Sequence, residues 1–511
     1  MSYDYIVVGG GISGVFLTYK LQETGRSILL IESSNRLGGK LLLHREKGFN
    51  LELGGARFSS THEKVLTLVN ELELTKDMIE LPSDDDIVYK IKDKVNMESL
   101  HKKILSKSKD FSKKYLQGIT YRQLCYDILG EDVSHIYQDM FGYNSEFIHL
   151  NAHAMLKMFG KDLLKKSTYY ILKNGYESII EKMKDSFKDN VEIKMNTEVD
   201  DIGYNFVLCK KTKYYYKKLS LCIPQKPLQR MNFFRDNLSL NSVTPIPLIR
   251  IYMKYPVDSN KKPWFKNIKR TITDKYIRHI IPINYDEGTI MISYTDGDLA
   301  RMWNDLVKLG NNILVKKVHG EIKRLFKIEP PKPLKIKCAY WDEGVHMWKA
   351  GVNIKSEYGK IIEISPKIFI ANESYCMHQC WVEGCLDVCY DVLEKLDSNY
   401  KRDIPKKIVD KKVKLYSIDE VLKQKTWIVL ELNDKKKIYD VKNWLTKHPG
   451  GKDNLMKGIK ANNHYKDSNK YPESPMDLFS SIGAHKSSHV IKNMLRKDNE
   501  FVVFVGLLKK I

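Results

Sequence analysis

Apolar residues open the chain in short blocks separated by glycines. Residues 5–8 (Tyr-Ile-Val-Val) form a run short enough for a buried parallel strand. Residues 15–24 have helical spacing, with Val15, Leu17 and Leu21 apolar, and Gly25 stops that helix. Residues 27–31 (Ser-Ile-Leu-Leu-Ile) read as a second strand with Glu32 at its end. Downstream, residues 61–72 predict a helix with Val65, Leu68, Val69 and Leu72 on one face. Residues 84–187 read as mostly helical and charged. Strands are predicted at 191–193, 197–202, 219–224, 248–253, 290–295 and 368–373, and a helix start at 379–386.

Between the first strand and the first helix stand Gly9, Gly11 and Gly14, giving G-x-G-x-x-G. Such a loop opens a βαβ dinucleotide site. Gly9 makes the tight turn, Gly11 lets the backbone approach a pyrophosphate, and Gly14 allows close packing of helix on strand. The phosphates sit on the helix N-terminus at Ile12 and Ser13. Glu32, 18 residues after Gly14, accepts hydrogen bonds from a ribose and disfavours a 2′-phosphate.

The chain has 511 residues, 42% of them hydrophobic, so two or three domains with sizeable cores are expected. The net charge of +22 admits a nucleic-acid or acidic-membrane partner, but the basic residues are spread along the chain. A lysine-rich surface is the preferred reading. The sequence reads as having no signal peptide, and no apolar run approaches a membrane span. Eight cysteines do not make a disulfide scaffold in a chain this size, so a reduced, cytoplasmic protein is expected. Cys376, Cys380, Cys385 and Cys389 have helical spacing and read as small core residues rather than zinc ligands.

The second strand continues as Glu32-Ser33-Ser34-Asn35-Arg36-Leu37-Gly38-Gly39-Lys40. This resembles the E-x-x-x-R-x-G-G-R signature of the flavin-containing amine oxidase family, with Lys40 in place of the last arginine. Leu53-Gly54-Gly55-Ala56-Arg57-Phe58 resembles the family's glycine turn beside the flavin ring. The resemblance implies FAD, with its adenosine end near Glu32 and its flavin near Arg57. It also implies an adenine contact at Val199, and a closing strand–helix motif with Glu373, Trp381 and Val382 near the cofactor. Asn372 and Cys380 replace two glycines of that motif. Trp341 matches a family tryptophan near the ring. Val345 and His346 follow where covalent members carry a cysteine, so non-covalent FAD is implied. His346 and Trp348 read as buried packing.

Among these enzymes an arginine at the position of Arg57 resembles that of L-amino-acid oxidases, where it grips the substrate carboxylate. Tyr294 resembles their second carboxylate contact. A guanidinium with a phenol suits a planar carboxylate. The alternative is that Arg57 holds the flavin and Tyr294 packs. Arg250 stands where many members carry a lysine, and a guanidinium does not deprotonate.

Near the C-terminus, strands are predicted within 415–421, at 426–430 and at 437–441, followed by a helix ending in His448-Pro449-Gly450-Gly451. Residues 501–508 read as a closing strand. This order and the His-Pro-Gly-Gly tetrad resemble cytochrome b5. His448 is then one axial ligand of haem b and His485 the other, with His489 as the alternative. Two histidine ligands leave no open iron position, so such a haem carries electrons.

The expected architecture is α/β. An FAD-binding Rossmann-type domain with an interleaved α+β substrate domain, amine oxidase-like, fills residues 1–397. Its FAD-binding pieces are about 1–60, 188–245 and 335–397, and its substrate pieces about 61–187 and 246–334. A polar linker (398–412) leads to a small α+β cytochrome b5-like domain (413–511). The resemblance implies oxidation of a small-molecule amine or L-amino acid to an imine, with electrons passing to oxygen, an external acceptor or the haem. The competing readings are a flavin desaturase or dehydrogenase with a non-amine substrate, and a non-catalytic redox or scaffold protein.

Overall fold

The first helix is fixed by what surrounds it. Ser2–Val8 and Ile28–Ile31 lie side by side in parallel, Tyr5 opposite Ile28 and Val8 opposite Ile31. Ile12–Leu21 crosses between them and is buried over most of its surface. In this computed structural model the described residues are 1–81, 87–158, 167–401, 415–432, 435–445, 452–467, 470, 474, 475, 478 and 503–508. The chain divides into two units, Met1–Pro405 and Lys406–Ile511.

The first unit carries two large sheets. The eight-stranded sheet has a parallel centre, with Val191–Lys194, Ile28–Ile31, Ser2–Val8, Thr212–Leu221 and Ile368–Ile370 paired in that order. Every residue of Ile28–Ile31 is buried, as expected of a central parallel strand covered on both faces. The strands end at Val8, Ile31, Leu221 and Ile370, so the loops that follow them gather along one edge. Ligands of open parallel sheets bind outside that edge.

The six-stranded sheet runs Lys335–Trp348, Val243–Lys254, Thr289–Asp296, His279–Asn284, Thr271–Thr273 and Val88–Lys90. Residues from about 335 were assigned above to the flavin-binding part. Instead, Lys335–Trp348 pairs antiparallel with Val243–Lys254 in this second sheet. The ladder between them is interrupted. Ile246 faces Val345 and Leu248 faces Trp341, so residues 342–344 stand opposite Pro247 alone. Proline has no N–H to give to a ladder, and a bulge at this point removes the need for one.

Several predicted elements differ in extent. The stretch 197–202 is strand only at Asp201–Ile202. Before it, the Asn196 and Thr197 amides donate to the carbonyls of Ser34 and Glu32, which holds the segment as a loop against the end of the second strand. Glu373 lies beyond the strand Ile368–Ile370, in a short helical turn. The helix predicted to start at 379 begins at Val382, with Trp381 as its N-cap. Cys376, Cys385 and Cys389 are buried in the core around it.

In the second unit a four-stranded sheet is ordered Leu415–Tyr416, Val503–Leu508, Lys435–Asp440 and Trp427–Leu432. A capping box joins Ser417 and Glu420 at the start of Ile418–Leu422. His448, His485 and His489 lie outside the described residues. Among the described residues, no helix is long and apolar enough to cross a membrane.

Candidate functional site

The glycines of the first loop hold three different constraints. Gly9 has φ +103°, and a Cβ there would sit 2.7 Å from the Cys222 carbonyl oxygen. A Cβ on Gly14 would lie 1.8 Å from the Gly9 carbonyl oxygen, so the helix approaches the loop backbone this closely only because Gly14 has no side chain. Gly11 is the open one: the nearest atom to a Cβ there is the Gly39 Cα at 4.0 Å. Gly11 is also the N-cap and gives the helix no side-chain cap. The result is a helix N-terminus without a side-chain cap, its Gly11 bridged to Gly38 and in close backbone contact with Gly39, where a Cβ would lie 3.0 Å from the Gly11 Cα, an all-glycine lining suited to a pyrophosphate.

Glu32 is tied to this loop. One carboxylate oxygen accepts the Gly10 amide at 2.6 Å, and the other accepts the Ser34 amide at 2.8 Å and the Ser33 hydroxyl at 3.4 Å. Arg36 donates to the carbonyls of Leu37 (3.1 Å), Leu41 (3.2 Å) and Gly39, and so braces the turn that carries Gly39. Gly54 and Gly55 press on the Lys40 carbonyl, which accepts the Gly55 amide at 2.9 Å. Ala56 and Arg57 follow this contact. Val199 is half-buried in the stretch just after the loop pinned to Glu32.

The closing motif meets the same region through Glu373. Its Oε1 accepts the Cys380 amide (3.1 Å) and the His346 amide (3.0 Å), and its Oε2 lies 3.3 Å from Lys40 Nζ and 2.9 Å from His346 Nδ1. Burial pushes this carboxyl up, but Lys40, His346 and the amide outweigh it and hold it at about 2. The two lost glycines have separate answers. Asn372 is extended at φ −152°, and its side chain caps the next turn by accepting the Tyr375 amide and donating to the Ile223 carbonyl. Cys380 keeps the conformation a glycine would have, with φ +72°.

His346, read above as packing, is fully buried but polar in its contacts. Besides Glu373, its Nε2 lies 3.1 Å from Glu343 Oε2 and 3.3 Å from Ser374 Oγ. Trp341 donates to the Leu53 carbonyl at 2.7 Å and so ties the second sheet to the glycine turn.

Arg57 stands apart from these pairings. Among the described residues its guanidinium has no hydrogen bond or ion pair, and it lies 4.4 Å from the Tyr169 ring centre. Tyr169 stacks on Trp381 at 6.1 Å with 19° between planes, and His62 meets the Trp381 ring edgewise at 4.8 Å. Burial, followed by His378 and Arg57, drives His62 down to about 3. The ring is therefore neutral near pH 7, and its Nδ1 accepts the Ser59 amide.

Arg250 and Tyr294 are opposite each other on neighbouring strands. The Arg250 guanidinium lies 4.8 Å from the Tyr294 ring centre and donates to the Glu52 carbonyl at 2.9 Å. Tyr294 contacts Tyr143 edgewise at 5.5 Å. Two residues on, buried Asp296 accepts the amides of Asn144 (3.0 Å) and Ser145 (2.7 Å) through one oxygen. Burial, then Asp296, pushes the Glu146 carboxyl up. Glu146 and Asp296 also act on the Cys380 thiol, and Arg57 acts on the Tyr143 phenol, so these side chains share one region. His62, Tyr143 and Glu146 carry no local motif, while Tyr169 opens the stretch through Glu177 that resembles the family's turn before a helix returning to the FAD domain. The Asp296-Gly297-Asp298 helix-start pattern is the sequence signal for the buried carboxylate at 296.

Comparison with known proteins bears on this geometry. A family model described as an NAD(P)-binding Rossmann-like domain matches residues 7–72. Achacin of Lissachatina fulica is 44% identical over 78 residues, 14% of this chain and 15% of achacin. The flavin-containing amine oxidase B of Rattus norvegicus is 39% identical over 72 residues, 14% of each chain. The matched stretch thus spans about 15% of the length of these curated relatives. A redesigned putrescine oxidase superposes with a TM-score of 0.64 at 14% identity, over 78% of this chain and 99% of that one. Over that 78% the fold of this chain is similar to that of putrescine oxidase. A structure titled a putative protoporphyrinogen oxidase, from Exiguobacterium, gives 0.60 at 14% identity, over 77% of this chain and 98% of that one.

Proposed function

We propose that this chain is an FAD-dependent oxidoreductase that oxidises an amine or L-amino acid to an imine. The observation that carries the reading is the pairing of two features on one fold. A glycine cradle is followed by an amide-anchored Glu32, and the Arg57 guanidinium, without a hydrogen bond or ion pair among the described residues, lies over Tyr169, which stacks on Trp381. Gly11, Ile12, Ser13 and Gly39 would hold the pyrophosphate and Glu32 the ribose, with Ser33, Arg36 and Lys40 shaping the turn. Val199 would meet the adenine. Gly54, Gly55, Ala56, Glu373, Trp381 and Val382 would line the remaining cofactor.

FAD, when bound, supplies the acceptor for a hydride taken from the carbon that bears the substrate nitrogen. The chain's own residues bind and orient. Arg57 and Tyr294 would hold a carboxylate, Trp341 and Trp381 would exclude water, and neutral His62 would add no positive charge beside Trp381. Arg250 stays charged and anchors Glu52 to the second sheet. The imine product hydrolyses to a carbonyl compound. Mass detection of that carbonyl from an amine or amino-acid panel tests the reading. Turnover of a non-amine alone would favour the desaturase alternative.

For the second unit we infer a haem b domain held by His448 and His485, receiving electrons from the flavin as an alternative to oxygen. The four-stranded sheet with its capped helix and the His-Pro-Gly-Gly tetrad support it. Purified protein should then show a six-coordinate haem spectrum that His448→Ala or His485→Ala disturbs. Loss only on His489→Ala would move the second ligand, and a haem-free protein would remove the reading.

A further inference from the structure

The bulge opposite Pro247 puts Glu343 and His346 on one side of their strand, although a regular strand would place residues three apart on opposite faces. The imidazole so turned joins Glu343 to Glu373 inside the protein, at 3.1 and 2.9 Å. One buried ring thus bridges two carboxylates that belong to different segments of the chain. The bulge is bound into the same group, because Lys40 donates to the Gly344 carbonyl at 3.0 Å as well as reaching Glu373. Glu343 in turn accepts the Lys226 amide at 3.0 Å.

The geometry points to His346 as a positioning residue for the flavin, acting through Glu373. This rests on the FAD reading above. Glu373 has its two oxygens on four protein donors, and two of them, the His346 amide and the ring Nδ1, come from this one residue. The other donors are Cys380, just before the N-cap of the closing helix, and Lys40, at the end of the stretch 32–40. Fixing the carboxylate therefore fixes both segments that flank the cofactor. The outer carboxylate, Glu343, sets how much negative charge the group presents to the flavin side. Removing that charge favours the reduced, more negative flavin.

The test uses full-length protein and measures the FAD dissociation constant and the flavin midpoint potential. Asparagine can offer an N–H near the position of Nδ1, and glutamine near that of Nε2. His346→Asn therefore retains the Glu373 arm and should keep FAD affinity within about threefold of wild type. His346→Gln and His346→Ala lose that arm and should weaken FAD about tenfold or more, the scale of one hydrogen bond to a charged group. Glu343→Gln should move the potential to more positive values. If the three His346 variants shift together, or none shifts while thermal stability falls, His346 is only a core residue and the inference is overturned. An unmoved potential in Glu343→Gln overturns it too. If wild-type protein binds no FAD, the function proposed above fails as well, which separates the two outcomes.

Discussion

The Cys380 amide donates to Glu373 at 3.1 Å from a backbone held at φ +72°, a conformation that costs a non-glycine residue about 1–2 kcal/mol. The hydrogen bond to a buried carboxylate is what retains it. Cys380→Gly should leave stability within about 1 kcal/mol, since relief of the backbone offsets lost chain stiffness. Cys380→Val puts a β-branched residue at positive φ and should cost more. Thermal unfolding of the two variants compares them. A valine variant as stable as the glycine variant would contradict the geometry.

Glu32 holds two backbone amides of the cofactor loop. Glu32→Ala leaves both without their acceptor and should weaken FAD retention by about tenfold or more. Acid precipitation of wild-type protein should release free FAD into the supernatant. Flavin that stays with the precipitated chain would contradict non-covalent binding.

Arg57 is the sharpest handle on substrate class, because among the described residues its guanidinium has no hydrogen bond or ion pair and lies over the Tyr169 ring. If it grips a carboxylate, Arg57→Ala should cost amino-acid turnover on the order of 2–5 kcal/mol in kcat/KM. Turnover of a simple amine should change far less. Equal losses on both would make Arg57 a flavin contact instead.

Glu52 provides a pH test. Burial raises its carboxyl to about 7 from an ordinary 4.5, despite the Tyr176 amide and Arg250, and one of its oxygens is buried without a hydrogen-bond partner among the described residues. The folded state keeps a proton that the unfolded chain has already lost, so this group's contribution to stability falls as pH rises from about 4.5 to about 7. Glu52→Gln keeps an acceptor for Tyr176 and removes the titration. The variant should gain on wild type across that window by on the order of 1–3 kcal/mol. A constant difference between the two denaturation curves would contradict a raised Glu52.

The cofactor loop was legible because its logic is local. Gly9, Gly11, Gly14 and Glu32 lie within one strand–helix–strand unit, and the glycines' spacing is the geometry. The substitutions at 372 and 380 were visible as departures, but their resolutions were not. Asn372 needed only an extended backbone, while Cys380 needed a carboxylate seven residues away in sequence. His346 read as packing because nothing in a strand pattern announces a bulge. That bulge depends on Pro247 in the neighbouring strand. Glu146, His62 and Tyr143 belong to the region around Arg57 only through tertiary packing, which periodicity does not encode.

The most direct test of the central claim is anaerobic mixing of the purified yellow protein with a panel of amines and L-amino acids, following the flavin absorbance. The account predicts that at least one amine or amino acid bleaches the flavin fully, and that Arg57→Ala slows bleaching by an amino acid more than by an amine. A flavin that stays oxidised with every amine and amino acid, yet bleaches with a non-amine substrate, would contradict it.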